Sequence, residues 1–77
     1  MSESAKNIVG PTIKQLREAA NLSQSALVGR LAEIGVSLST ASLSKIETRK
    51  RGVTDIELKA FSRVFNVPVE QILNDNK

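Results

Sequence analysis

The sequence predicts an all-α protein, a compact bundle of five helices, and three observations lead there. Apolar residues recur at helical spacing in five successive segments, and no stretch shows the period-2 alternation of a half-buried strand. Three of the segments open on a hydroxyl residue suited to cap a helix, flanked by apolar residues on both sides. The segments are separated by only a few residues, which forces neighbouring helices to pack on one another.

The first helix is expected to start near Gly10-Pro11, because proline suits the first turn, where its missing N–H is not needed. Residues 1–9 then form a loose N-terminal tail and 10–77 the folded domain. Ile13, Leu16, Arg17 and Ala20 fall on one face of this helix. The second begins after Ser23, with Leu22 and Leu27 placed as a hydrophobic staple; Leu27, Leu31 and Ile34 form its stripe and Gly35 stops it. The third repeats the design with Ser39 as cap and Leu38 and Leu43 as staple, and Leu43, Ile46 and Glu47 share a face. The fourth has the strongest start signal, Thr54-Asp55-Ile56-Glu57, a capping box with Val53 and Leu58 around it. Leu58, Phe61, Ser62 and Phe65 follow at i, i+3, i+4 and i+7. Pro68 opens a short last helix carrying Ile72 and Leu73.

Composition removes several functions. The chain has 77 residues, no Cys and no His, so it lacks thiolate metal sites, disulfides and the usual general base. Two Phe are the only aromatics, too few for a base-stacking platform. The longest apolar run is three residues, Ala26-Leu27-Val28, far short of a membrane span. The start, MSESAKN, lacks the apolar core of a signal peptide, so a soluble cytoplasmic protein is expected. A domain of this size has about 4–11 kcal/mol of stability. The net charge is only +3, but Lys45, Arg49, Lys50 and Arg51 place four of the eleven basic residues within seven positions. Such a cluster is either a solubilising surface or an anion-binding patch.

The stretch SLSTASLSKIETRKRG carries that cluster. On a helical wheel Leu43, Ile46 and Glu47 point one way, and Ala41, Ser44, Lys45 and Thr48 the other. The outward face is small and hydrogen-bonding, with one long cation. Ser and Thr are inferior helix formers for a merely solvated face. A face of this kind suits close approach to base edges in a ~12 Å major groove, where hydroxyls can donate or accept and Lys45 can reach guanine or a phosphate. Two charges of opposite sign, Arg17 and Glu47, lie on the apolar stripes of the first and third helices. An unpaired buried charge is very costly, so they are expected to pair and to bring those two helices together.

In order and spacing, LRE at 16–18, LSQSAL at 22–27, LSKIE at 43–47 and FNVPVEQIL at 65–73 resemble the phage-repressor (Cro/repressor) class of helix-turn-helix DNA-binding domains, also called the xenobiotic-response-element family. The resemblance covers Gly10 to Leu73. It implies a lambda-repressor-like fold with Gln24 to Ile34 as the first helix of the motif and Thr40 to Thr48 as the recognition helix. It also implies base contacts from Thr40, Ala41 and Lys45, to which the outward face of the wheel adds Ser44. Phosphate contacts are implied for Gln24, Arg49, Lys50 and Arg51, with Thr48 at the end of the outward face expected to join them, and a structural ion pair is implied for Arg17 and Glu47. No cofactor is implied. The implied partner is double-stranded DNA, as a palindromic operator bound by a homodimer, because two half-sites need two recognition helices. The last helix and the end of the fourth are the expected dimer surface.

The chain departs from the family pattern at three places. GVSLS at 35–39 lengthens the connection between the two motif helices, as in a longer-turn subgroup. Arg49 stands where Gly is usual, so either the recognition helix ends later, at Gly52, or one residue is strained. Val28 stands where a small Ala is usual, and Gly29 is expected to make room for it.

The leading reading is thus a sequence-specific transcriptional regulator, a repressor by resemblance. The alternative is a protein-interaction module of the same fold, an antitoxin-like element that binds a partner protein. Enzyme activity is not expected. Ser44 and Lys45 are helix neighbours whose side chains diverge, and Asp55 and Glu57 are explained by capping and the helix dipole.

Overall fold

The computed structural model describes residues 2–74, with side chains from Val9 to Leu73. Five helices follow in order: α1 (Ser2–Ala19), α2 (Gln24–Glu33), α3 (Thr40–Glu47), α4 (Asp55–Phe65) and α5 (Val69–Asn74). No strand occurs among the described residues. α1 packs on α3, α4 and α5, α2 on α3 and α4, and α4 on α5. The Cα radius of gyration is 11.2 Å, close to the ~11.5 Å of a compact chain of this length.

The starts of α2, α3 and α4 expected from the sequence hold at atomic detail. The hydroxyls of Ser23 and Ser39 accept from the backbone N–H of Ala26 and Ser42, both at 3.0 Å. Thr54 and Glu57 close the reciprocal capping box. The paired residues around these caps lie in one core: Leu27, Leu38 and Leu43 are buried, and Leu22, Val53 and Leu58 pack against the same cluster. Ile13, Leu31, Ile46, Phe61 and Ile72 complete its centre.

α1 departs from expectation. It starts at Ser2 rather than near Gly10-Pro11, which leaves Pro11 inside the helix. Proline there removes a single N–H donor, and the residues just before it are held by tertiary packing. Val9 is 4 % exposed, and Gly10 lies so close to α3 that a Cβ would overlap the Ile46 carbonyl. Ala20, expected on the inner face, is exposed just beyond the helix end.

The helix stops share one geometry. α1 to α4 all end with a backbone N–H donating to the carbonyl five residues earlier. The pairs are Leu22 to Arg17, Val36 to Leu31, Lys50 to Lys45 and Val67 to Ser62. This is the Schellman closure, and it needs one left-handed residue. That residue is Asn21, Gly35, Arg49 and Asn66 in turn, with φ of 59°, 87°, 68° and 57°.

Candidate nucleic-acid interface

Three helices converge on one carboxylate, and that junction sets the pose of α3. Glu47, the last residue of α3, accepts from Arg17 Nε at 2.7 Å and from Arg17 Nη2 at 3.1 Å. Gln24, the first residue of α2, donates its amide Nε2 to the same carboxylate at 3.1 Å. Arg17 Nη1 donates to the Leu22 carbonyl in the α1–α2 turn at 2.8 Å. The side chains of Arg17 and Glu47 are 12 % and 2 % exposed. The bonds to Glu47 raise the Arg17 pKa, so the guanidinium stays charged. The ion pair expected from two charges on apolar stripes therefore exists, with α1 against α3 as it requires. Gln24 has one donor committed to this junction.

The opposite side of α3 is open. Thr40, Ala41 and Lys45 are exposed and Ser44 is half-buried, while Leu43, Ile46 and Glu47 are buried behind them. The Ser39 cap sets where this face begins. The helix ends at Glu47, not at Gly52, so of the two possibilities at Arg49 the strained one holds. Asn and Gly occupy the left-handed position of the other three closures. Arg49 does so only against the steric cost that a Cβ meets there.

The members of the basic run differ in their partners. Arg49 and Lys50 are exposed. Lys45 joins them, and none of the three has an ion-pair partner among the described residues. Arg51, in contrast, donates Nη1 and Nη2 to the two Glu57 oxygens at 2.9 and 2.8 Å, and Nη1 also to the Gly52 carbonyl. Glu57 is the capping-box residue of α4 and accepts the Thr54 N–H as well. The Arg51 guanidinium holds the Glu57 carboxyl below the usual carboxylate range, and the Arg51 pKa is raised in turn. Arg51 thus ties the loop after α3 to the start of α4. Thr48 is similarly committed: its hydroxyl donates to the Ser44 carbonyl at 2.8 Å.

Two positions escape sequence reasoning. Gly10 reads as part of a helix start, yet it permits the close approach of α1 to the α3 backbone. Its helical spacing from Ile13 and Arg17 is the one signal of that role. The bidentate bond of Arg51 to Glu57 is hidden because the capping box explains Glu57 on its own. Gly29 does not act as expected, since it is exposed and a Cβ on it would meet nothing within 4 Å. Val28 is half-buried against the core.

Searches of the curated proteins and of the solved structures give no match. A family model described as helix-turn-helix matches residues 13–72, which takes in all of α2, α3 and α4 and most of α5. The capped helix pair, the buried Arg17–Glu47 bond and the polar outer face of α3 lie inside that span, and the chain belongs to the phage-repressor-like helix-turn-helix family of DNA-binding regulators.

Proposed function

We propose that this protein is a cytoplasmic repressor that inserts α3 into the major groove of a palindromic operator as a homodimer. The observation that carries the reading is the two-sidedness of α3. Its inner face is locked through Glu47 to α1 and α2, and its outer face offers exposed Thr40, Ala41 and Lys45 beside half-buried Ser44. A groove-reading helix needs both, a rigid pose and short polar side chains that let the backbone come near base edges. Ser44 and Thr40 can donate or accept, Ala41 can pack on a thymine methyl, and Lys45 suits guanine O6 and N7.

Arg49 and Lys50 are assigned to phosphates, where neutralisation supplies affinity without sequence preference. Gln24 joins them through its second amide N–H, because an amide carries two donors and Glu47 takes one. Arg51 and Thr48 are instead assigned to holding the end of α3, since their donors are largely spent within the protein. The dimer surface is proposed on α5 and the end of α4, where Phe65 is half-buried and Leu73 is 38 % exposed.

Selection from random duplex DNA, followed by binding of two variants to the winner, tests the reading. The winner should be palindromic. Lys45→Ala should cost about 1–3 kcal/mol on it and relax preference at one or two base pairs. Replacing Arg49 and Lys50 with Ala should weaken all sequences alike. It should also flatten the slope of log K against log salt, by about one unit for each phosphate no longer neutralised. If Lys45→Ala weakens all sequences alike, Lys45 touches only phosphate. If neither variant changes binding, α3 is not the recognition helix.

A further inference from the structure

One surface plays no part in the DNA reading. Ile56, Lys59, Ala60 and Arg63 recur at i, i+3, i+4 and i+7 along α4, and with Ile34 and Val36 they line an open groove of about 190 Å³. Ile56 is 70 % exposed. A single exposed apolar residue is ordinary, but this one adjoins the half-buried Ile34 and Val36. Isoleucine is also a poorer helix former than the Glu or Lys a solvated turn would carry. Lys59 and Arg63 are exposed on the same face, and neither has an ion-pair partner among the described residues.

We infer that this groove is a docking site for an acidic amphipathic helix of a partner protein. Leu- or Ile-type side chains of that helix would cover Ile34, Val36 and Ile56, and its Asp or Glu would meet Lys59 and Arg63. An apolar floor with charge at its margin is how a groove takes an amphipathic helix. The charges here are both positive, so electrostatic complementarity selects an acidic ligand and discriminates against a basic one. Duplex DNA is the poorer occupant, because its phosphate backbone has nothing apolar to cover Ile56. The groove is lined from the end of α2, the turn after it and α4, and no residue of α3 lines it. The inference does not depend on which DNA sequence the protein reads.

The test uses two synthetic helical peptides that share a Leu stripe at i, i+3, i+4 and i+7 and carry either Glu or Lys beside it. Each is titrated into isotope-labelled full-length protein and followed by amide chemical shifts. The acidic peptide should bind at least tenfold more tightly, with shifts centred on Ile34, Val36, Ile56, Lys59 and Arg63. The double variant Lys59→Glu/Arg63→Glu should invert the preference while its thermal midpoint and its affinity for duplex DNA stay unchanged. Equal binding of both peptides, no saturable binding, or shifts centred on Lys45, Arg49 and Lys50 would each overturn the proposal. Loss of duplex affinity in the double variant would assign the surface to DNA instead. Loss of self-association in Ile56→Glu, with no peptide binding, would assign it to a second copy of this chain. A failure of operator selection would leave the peptide result intact, so the two readings stand or fall separately.

Discussion

Arg49 is the residue at which local stability and the proposed function conflict. The left-handed position that closes α3 favours Gly or Asn, and the other three closures follow that rule. A side chain with a Cβ costs on the order of 1 kcal/mol there. Strained positions of this kind concentrate at functional sites, and this one carries an exposed cation beside the proposed recognition face. Arg49→Gly should therefore stabilise the domain by about 1 kcal/mol, raising the thermal midpoint by about 4–8 °C. It should also weaken duplex binding uniformly across sequences. Melting curves and titrations of the same sample check both halves. A stabilised variant with undiminished affinity would remove Arg49 from the phosphate contacts, and a destabilised one would refute the strain.

At the scale of elements, the docking of α1 on α3 decides where the outer face of α3 points. Truncating Arg17 or Glu47 alone should cost about 3–5 kcal/mol, since each leaves a largely buried charge behind. The losses should be unequal. Arg17→Ala strands Glu47 with only Gln24 as donor, whereas Glu47→Ala leaves Arg17 its bond to the Leu22 carbonyl and slightly more water. Urea melts of both singles and the double measure the coupling. A coupling below about 1 kcal/mol is the behaviour of an exposed pair and would contradict the packing. Gly10→Ala probes the same junction from the backbone. Helix propensity alone would favour Ala by about 1 kcal/mol, but the added Cβ overlaps the Ile46 carbonyl. We expect a net loss of about 1–3 kcal/mol from overpacking, together with weaker DNA binding as α3 is displaced. A more stable Gly10→Ala protein would show that the helices do not approach so closely.

For the whole molecule, the bond between Arg51 and Glu57 predicts acid sensitivity. The pKa of Glu57 is lowered in the folded state, chiefly by its bond to Arg51 and further by Thr54. A depressed carboxyl contributes stability that is fully present above its unfolded value, about 4.3, and is lost as pH falls through the lower folded value. The unfolding free energy should therefore drop as pH descends below about 4.3. Arg51→Ala should lower stability at neutral pH and flatten that descent. Denaturant melts at several pH values read both effects. An unchanged pH profile in Arg51→Ala would mean that other carboxyls account for the acid loss.

Much of this architecture is local and therefore legible in the chain alone. Caps, staples, stripes and turn residues act within a few positions of one another, so Ser23, Ser39, Thr54 and Leu43 announce their roles by spacing. The Arg17–Glu47 bond is legible as well, although the partners are 30 residues apart, because a charge on an apolar stripe has to be matched. Packing without such a signature is not legible. Whether α1 starts at Pro11 or runs through it depends on what Val9 and Gly10 meet across the bundle. Whether the Arg51 and Gln24 donors are available to a ligand depends on which acceptors fold within reach of them. Residue type and spacing determined that the chain forms capped helices with one buried and one polar face on α3. Only the tertiary structure decided which of the clustered cations remain unpaired, because hydrogen-bond partners are settled by distances between elements and not by their order along the chain.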